Sequence, residues 1–173
     1  MESLIEFGKI LLPSALVLYA MYLGVKVMVA KELTQKQMEI RQKSIEITLP
    51  IRLQAYERMS LFLERISPNN LVVRINQGGI SAREFHQLLL KEIRDEYNHN
   101  VSQQVYMSDD VWQQVKTAKE DLIIAINAAS DGLADEATSL DMAKKLFEFL
   151  MNKDIDPIEH ALKSLKDEIS KTY

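Results

Sequence analysis

The chain has 173 residues, no cysteine and a net charge of −4. The absence of cysteine excludes disulfides, thiol nucleophiles and cysteine-based zinc sites, and the acidic balance argues against a chain that binds polyanions over its whole surface. A mean hydropathy of −0.13 excludes a protein with many membrane spans but leaves room for one. Few glycines and prolines, together with many Leu, Ile, Lys, Glu and Gln residues, favour helix.

The most apolar stretch lies near the amino terminus. Residues 10–25 contain no charged side chain, and after Lys26 the apolar sequence continues to Ala30. This stretch of about 21 residues would form about 31 Å of helix, which matches the hydrocarbon core of a bilayer. A cleavable signal peptide needs a basic start, whereas Glu2 and Glu6 stand there. The sequence therefore predicts one transmembrane helix within residues 1–30.

Positive charge is concentrated on the carboxyl side of this stretch, at Lys26, Lys31, Lys36, Arg41 and Lys43. The positive-inside rule then places the amino terminus outside and the rest of the chain in the cytoplasm. The same five cations are candidates for contact with anionic headgroups, although a solvated juxtamembrane helix is the simpler and preferred interpretation.

Two small residues within the apolar stretch, Ala20 and Gly24, are four positions apart. Small residues at this spacing let two membrane helices approach closely, so the pair is a candidate for helix packing in the membrane.

Residues 31–49 read as a polar connector helix, whose apolar positions form a loose stripe and not the a and d positions of a long coiled coil. Pro50 then predicts a kink or a fresh helix start. The following residues carry an apolar stripe, and Ser67-Pro68 is expected to turn the chain. The stripe consists of Leu53, Tyr56, Met59, Leu63 and Ile66.

The remaining sequence predicts further helices. Three helix starts are signalled by Ser81 with Glu84, by Ser108 before two aspartates, and by Asp156-Pro157. A further helix is expected from about Glu136 to Asn152, with apolar residues at Leu140, Ala143, Leu146, Phe147, Leu150 and Met151. Residues 71–75 could be strand, linker or helix. The expected fold is all-α: a transmembrane helix (1–30), a juxtamembrane connector (31–49) and a compact cytoplasmic helical bundle (50–173).

No motif predicts a catalytic, cofactor-binding or metal site. Gly78-Gly79 lacks the rest of a phosphate-binding loop. Glu96 and His99 have the Glu-x-x-His spacing of di-metal bundles, but the further glutamates and the second histidine motif are not evident. Trp112 is expected in the core rather than on a partner-binding surface. Residues after Arg65 carry a net charge of −6, which speaks against a nucleic-acid partner.

Two segments carry a resemblance to a known group: "LPIRLQAYERMSLFLERISPNNLVVRI" and "EYNHNVSQQVYMSDDVWQQVKTAKE". They resemble a family of uncharacterised bacterial proteins that have one amino-terminal membrane helix and a helical cytoplasmic part. The resemblance implies this architecture and a bacterial inner membrane, and it brings no known activity.

The sequence as a whole favours a non-enzymatic, membrane-anchored scaffold, assembly or regulatory subunit at the cytoplasmic face, with the bilayer and another protein or a second copy as partners. Two alternatives remain. One is an oligomeric membrane spacer joined through Ala20, Gly24 and the 31–49 helix. The other is an enzyme that uses a carboxylate and histidine metal site. No small-molecule substrate is evident.

Overall fold

The computed structural model describes residues 2–76, 78–151 and 156–172, apart from the side chains of residues 2–8, 10 and 172. The fold is all-α, and no strand occurs within these ranges. The helices are α1 (Glu2–Ile66), α2 (Pro68–Ile75), α3 (Ala82–Asn100), a 3₁₀ helix (Val101–Tyr106), α4 (Asp109–Ser130), α5 (Ser139–Met151) and α6 (Pro157–Thr172). The chain divides into two compact units, Met1–Leu49 and Pro50–Tyr173.

Helix α1 contributes to both units. It is helical from Glu2 to Ile66, so the apolar stretch and residues 31–49 belong to one element. Of the two alternatives at Pro50, a kink or a fresh helix start, the fresh start is therefore wrong. A proline removes only its own N–H bond to the carbonyl four residues back, and the neighbouring residues can keep theirs.

The second unit is built around an apolar face of α1. Tyr56, Met59, Leu63 and Ile66 are buried, as the stripe predicted, but Leu53 is 41% exposed. The stripe is also wider than expected, because Ala55 and Phe62 are buried as well. Phe62 lies three residues after Met59 and four before Ile66, and this spacing places all three on one side of the helix.

The Ser67-Pro68 pair separates α1 from α2. The Ser67 hydroxyl donates to the Glu64 carbonyl at 2.8 Å, and the Asn70 amide group donates to the same oxygen at 2.8 Å. Pro68 occupies the first position of α2, where a missing N–H costs nothing. Residues 71–75, which the sequence left open, are helical, and Leu71 is fully buried.

Three helix starts agree with the predictions. Ser81 and Ser108 each accept a hydrogen bond from a backbone N–H three residues later, at 3.2 and 3.4 Å. Asp156 accepts from the backbone N–H of Ile158 at 2.8 Å, with Pro157 at the first helical position. These polar side chains satisfy N–H groups that have no partner within the helix.

Helix α5 begins at Ser139, three residues later than expected. Thr138 and Asp141 form a reciprocal cap, in which the Asp141 carboxylate accepts from both the backbone N–H and the hydroxyl of Thr138. Thr138 also forms an isolated antiparallel bridge with Ser81. The starts of α3 and α5 are thereby held side by side, which no local sequence pattern indicates.

The buried face of α5 agrees with the prediction in part, since Ala143 and Leu146 are buried. Leu140 and Met151 are 54% and 85% exposed, whereas Met142 and Leu146 are fully buried. Met142, Ala143 and Leu146 are buried at helical spacing, so the prediction missed Met142 and wrongly included Leu140 and Met151.

Helix α4 is central in the second unit and packs against α3, α5 and α6. Its Trp112 is 9% exposed and stacks on Tyr97 of α3, with the ring centroids 5.8 Å apart. Tyr97 in turn lies 6.1 Å from the ring of Phe62 of α1. The tryptophan therefore belongs to the core, as the sequence predicted.

Two leucines of α1 allow a matched test of this core. Leu63 is fully buried and Leu61 is 54% exposed. Leu63→Ala should lower the free energy of unfolding of the second unit by about 2–5 kcal/mol, because it leaves a cavity. Leu61→Ala should cost less than about 1 kcal/mol. Urea unfolding of the full-length chain in detergent, followed by Trp112 fluorescence, measures both. Equal losses would contradict the assigned face.

Candidate membrane segment and polar clusters

The apolar stretch of α1 is uncovered within the chain. Large apolar side chains from Leu11 to Val29 are between 42% and 69% exposed. None of the residues in the most apolar 18-residue window of the helix is buried. The helix is also long and apolar enough to cross a membrane. A contiguous apolar surface of this size is unusual on a water-soluble unit.

The side chains proposed for membrane contact are also exposed. Ala20 lies on the helix surface, and a Cβ added at Gly24 would meet open space. A neighbouring helix could therefore approach at these two positions without a clash. The five candidate headgroup contacts are exposed as well, namely Lys26, Lys31, Lys36, Arg41 and Lys43.

A polar cluster of the second unit is centred on the Glu168 carboxylate of α6. It accepts hydrogen bonds from the backbone N–H of Ser108 at 2.9 Å, from the Ser108 hydroxyl and from the Tyr56 hydroxyl. Arg52 donates from Nη2 to the Tyr56 hydroxyl oxygen at 3.1 Å, and it lies 3.8 Å from the carboxylate. Arg52 Nε also donates to the Tyr106 carbonyl at 3.2 Å.

This cluster shifts two pKa values. Burial opposes ionisation of Glu168, but the hydrogen bonds from Ser108 and Tyr56 and the charge of Arg52 outweigh it and lower the pKa. Burial and the adjacent carboxylate raise the pKa of Tyr56. At neutral pH the carboxylate is therefore ionised and the tyrosine is protonated. In these states the Tyr56 hydroxyl donates a hydrogen bond and the Glu168 carboxylate accepts it.

The Glu168 cluster links three helices of the second unit. Its donors and acceptors are engaged with one another and join the start of α4, the end of α6 and the α1 face. The sequence did not indicate Glu168, because its partners Tyr56 and Ser108 are 112 and 60 residues away. A capping serine followed by two aspartates was the only local sign that Ser108 matters.

Glu96 and His99 line an open groove of about 560 Å³ between α1 and α3. Glu96 Oε1 lies 2.5 Å from both Nε and Nη2 of Arg65, so its charge is balanced by a guanidinium. Arg58 and Asp95 line the same groove. A carboxylate already bound to arginine is a poor start for a metal site, since the metal would have to displace the cation.

The other two histidines lie elsewhere. His86 Nε2 is 2.8 Å from Asn127 Oδ1, and His160 lines a separate groove between α4 and α6. Among the residues that the structure describes, no three His, Cys, Asp or Glu side chains come together as a metal site. In that part of the chain, Glu96 and His99 therefore lack the further carboxylate and histidine ligands that a di-metal site needs.

The Glu168 cluster predicts a specific acid sensitivity. Because its pKa is lower in the folded state, Glu168 stabilises the fold above the unfolded-state pKa of about 4.3, and the contribution is lost as pH falls through the folded-state pKa. Glu168→Gln should cost about 1–3 kcal/mol at pH 7, and the difference from the parent should shrink towards pH 3.

The adjacent Asp167→Asn removes the same charge from an exposed position and should change stability by less than about 0.5 kcal/mol. Urea titrations of the full-length proteins from pH 7 to pH 3 measure both. A pH-independent gap between Glu168→Gln and the parent would contradict the role assigned to the carboxylate.

The comparisons with known proteins add family membership. No curated protein and no solved structure matches the chain significantly. A family profile described as "Family of unknown function (DUF7935)" matches residues 2–172, which is nearly the whole sequence and both units. The chain therefore belongs to this family of unknown function.

Proposed function

We propose that the protein is a single-pass, membrane-anchored helical scaffold or assembly subunit. In this proposal the apolar stretch of α1 spans a bacterial inner membrane, the amino terminus lies outside, and the second unit lies in the cytoplasm. There it holds a protein partner near the membrane surface without performing catalysis itself.

The observation that carries the proposal is the exposed apolar surface of α1 between Leu11 and Val29. Such a surface needs a medium other than water, and a bilayer provides one that covers every side of a lone helix. A core-forming helix would instead bury one face against the rest of its own chain.

The charges flanking the stretch support the orientation. Lys31, Lys36, Arg41 and Lys43 follow it, and all four are exposed. Positive residues within about 15–20 positions of a span are retained on the cytoplasmic side. The amino-terminal flank offers Lys9 against two glutamates, so it opposes this orientation only weakly.

A scaffolding role is supported by how the second unit uses its polar groups. The Glu168 cluster and the Arg65–Glu96 pair join helices to one another. The Arg65–Glu96 pair connects α1 to α3, and the Tyr56–Glu168 hydrogen bond connects α1 to α6. A rigid folded unit on a membrane anchor is suited to presenting a surface to another protein.

Purification from native membranes tests the proposal. The tagged full-length chain, extracted in mild detergent, should bring down at least one other protein in a constant ratio to itself. Recovery of the chain alone, with no co-purifying protein at any detergent-to-protein ratio, would count against a scaffold.

A variant of the span provides the control. Leu18→Arg together with Tyr22→Arg places two charges in the apolar stretch. Each raises the free energy of membrane insertion by about 2.5–3.5 kcal/mol at the helix centre. This variant should move the chain out of the carbonate-resistant membrane fraction and lose the partner. Gln35→Arg with Glu39→Arg has the same spacing outside the stretch, and it should leave the chain in the membrane.

A further inference from the structure

Residues 32–49 contain a seven-residue repeat. Glu32–Met38 reads ELTQKQM and 39–45 reads EIRQKSI, after which EITL begins a third copy. Glu, Gln and Lys recur at the first, fourth and fifth positions, and apolar residues recur at the second and seventh. The two apolar positions are not spaced like a and d, so a search for ordinary coiled-coil heptads misses the period.

On a helix, residues seven apart lie nearly in one line. One apolar line consists of Leu33, Ile40 and Ile47, which are 60%, 65% and 67% exposed. The other consists of Met38 and Ile45, at 67% and 50% exposed. At 3.6 residues per turn the two lines are about 150° apart, on nearly opposite sides of the helix.

Uncharged polar residues extend both lines. Gln37 and Ser44 alternate with the first line at spacings of four and three, and we call this combined surface face 1. Gln35, Gln42 and Leu49 alternate in the same way with Met38 and Ile45, and we call that surface face 2. Neither face contains a charged side chain between residues 33 and 49.

The charges of the repeat lie mainly between the two faces and balance. Glu32 and Glu39 each precede a lysine by four residues, which is the favourable order for pairing along a helix. Residues 32–49 hold three acidic and three basic side chains in all. Identical helices placed side by side would therefore not repel one another.

We propose that faces 1 and 2 are covered by other copies of this chain, in an assembly of three or more parallel helices. Face 1 of one copy packs on face 2 of the next. A helix with two apolar faces has two neighbours, and a contact between two different surfaces closes into a ring or continues as an array instead of stopping at a dimer.

This inference rests on the proposed membrane anchor, which would keep the copies parallel, at one depth and at a high effective concentration. At one depth, Met38 of one helix and Ile40 of its neighbour differ by about 3 Å in height, so they can meet. Gly24 lies 14 residues before Met38, in the same line of the helix, with Lys31 between them. Face 2 thus extends towards a small residue in the span.

Disulfide trapping in native membranes tests the proposal, since the chain contains no cysteine of its own. The full-length double variant Met38→Cys/Ile40→Cys has one thiol on each face and should give a ladder of trimers and larger species after oxidation with copper phenanthroline. Glu39→Cys/Arg41→Cys has the same spacing off both faces and should remain largely monomeric. Each single variant, Met38→Cys or Ile40→Cys, should give few dimers.

Three results would overturn the inference: no ladder from the face variant, an equal ladder from the control, or efficient dimers from a single variant, which would mean that like faces meet. Carbonate extraction of the same membranes separates the two proposals. Protein that stays in the membrane without a ladder overturns the assembly alone, whereas protein that is extracted contradicts the anchor.

Discussion

The constraint on which the rest of the structure depends is the uncovered apolar surface of α1. Its large side chains between Leu11 and Val29 are mostly exposed by more than half. Burying an apolar side chain is worth about 1.5–3 kcal/mol, so more than ten of them amount to at least about 15 kcal/mol. That total equals or exceeds the whole stability of a typical domain, which is about 5–15 kcal/mol. Leaving this surface in water would therefore carry a cost as large as the net stability of a domain.

The two units differ in how their apolar side chains are covered. The second unit buries its own apolar residues, from Phe62 on α1 to Leu165 on α6, and it pairs the buried Tyr56 hydroxyl with the Glu168 carboxylate. In the first unit, none of the apolar side chains that the structure describes is buried within the chain. On the two proposals made above, its covering is external, by lipid along the apolar stretch and by further copies of the chain along residues 32–49.

Local signals were enough to predict most of the fold. A capping serine or aspartate before an apolar period is a short-range pattern, and Ser81, Ser108 and Asp156 all start helices. Residues 71–75 stayed open because β-branched residues occur in strands and in short buried helices alike. The start of α5 was predicted three residues too early, because it depends on the Thr138–Asp141 cap and on the bridge to Ser81.

Long-range contacts and the repeat were not predicted. Glu168 resembles any other glutamate of a polar helix until the fold brings Tyr56 and Ser108 to it. The seven-residue repeat of residues 32–45 was missed for another reason. Its apolar residues lie on two nearly opposite sides of the helix, and a search for a single apolar stripe therefore finds only a loose pattern. The continuity of α1 through Pro50 likewise shows that a proline does not have to end a long helix.

The central claim is that α1 crosses a membrane and leaves the second unit in the cytoplasm. Thiol accessibility tests it most directly, because each introduced cysteine is the only one in the chain. With an impermeant maleimide on intact cells, Ser3→Cys should be labelled and Ser170→Cys should react only after the membrane is permeabilised. Labelling of Ser170→Cys in intact cells, or protection of both sites until permeabilisation, would contradict the account.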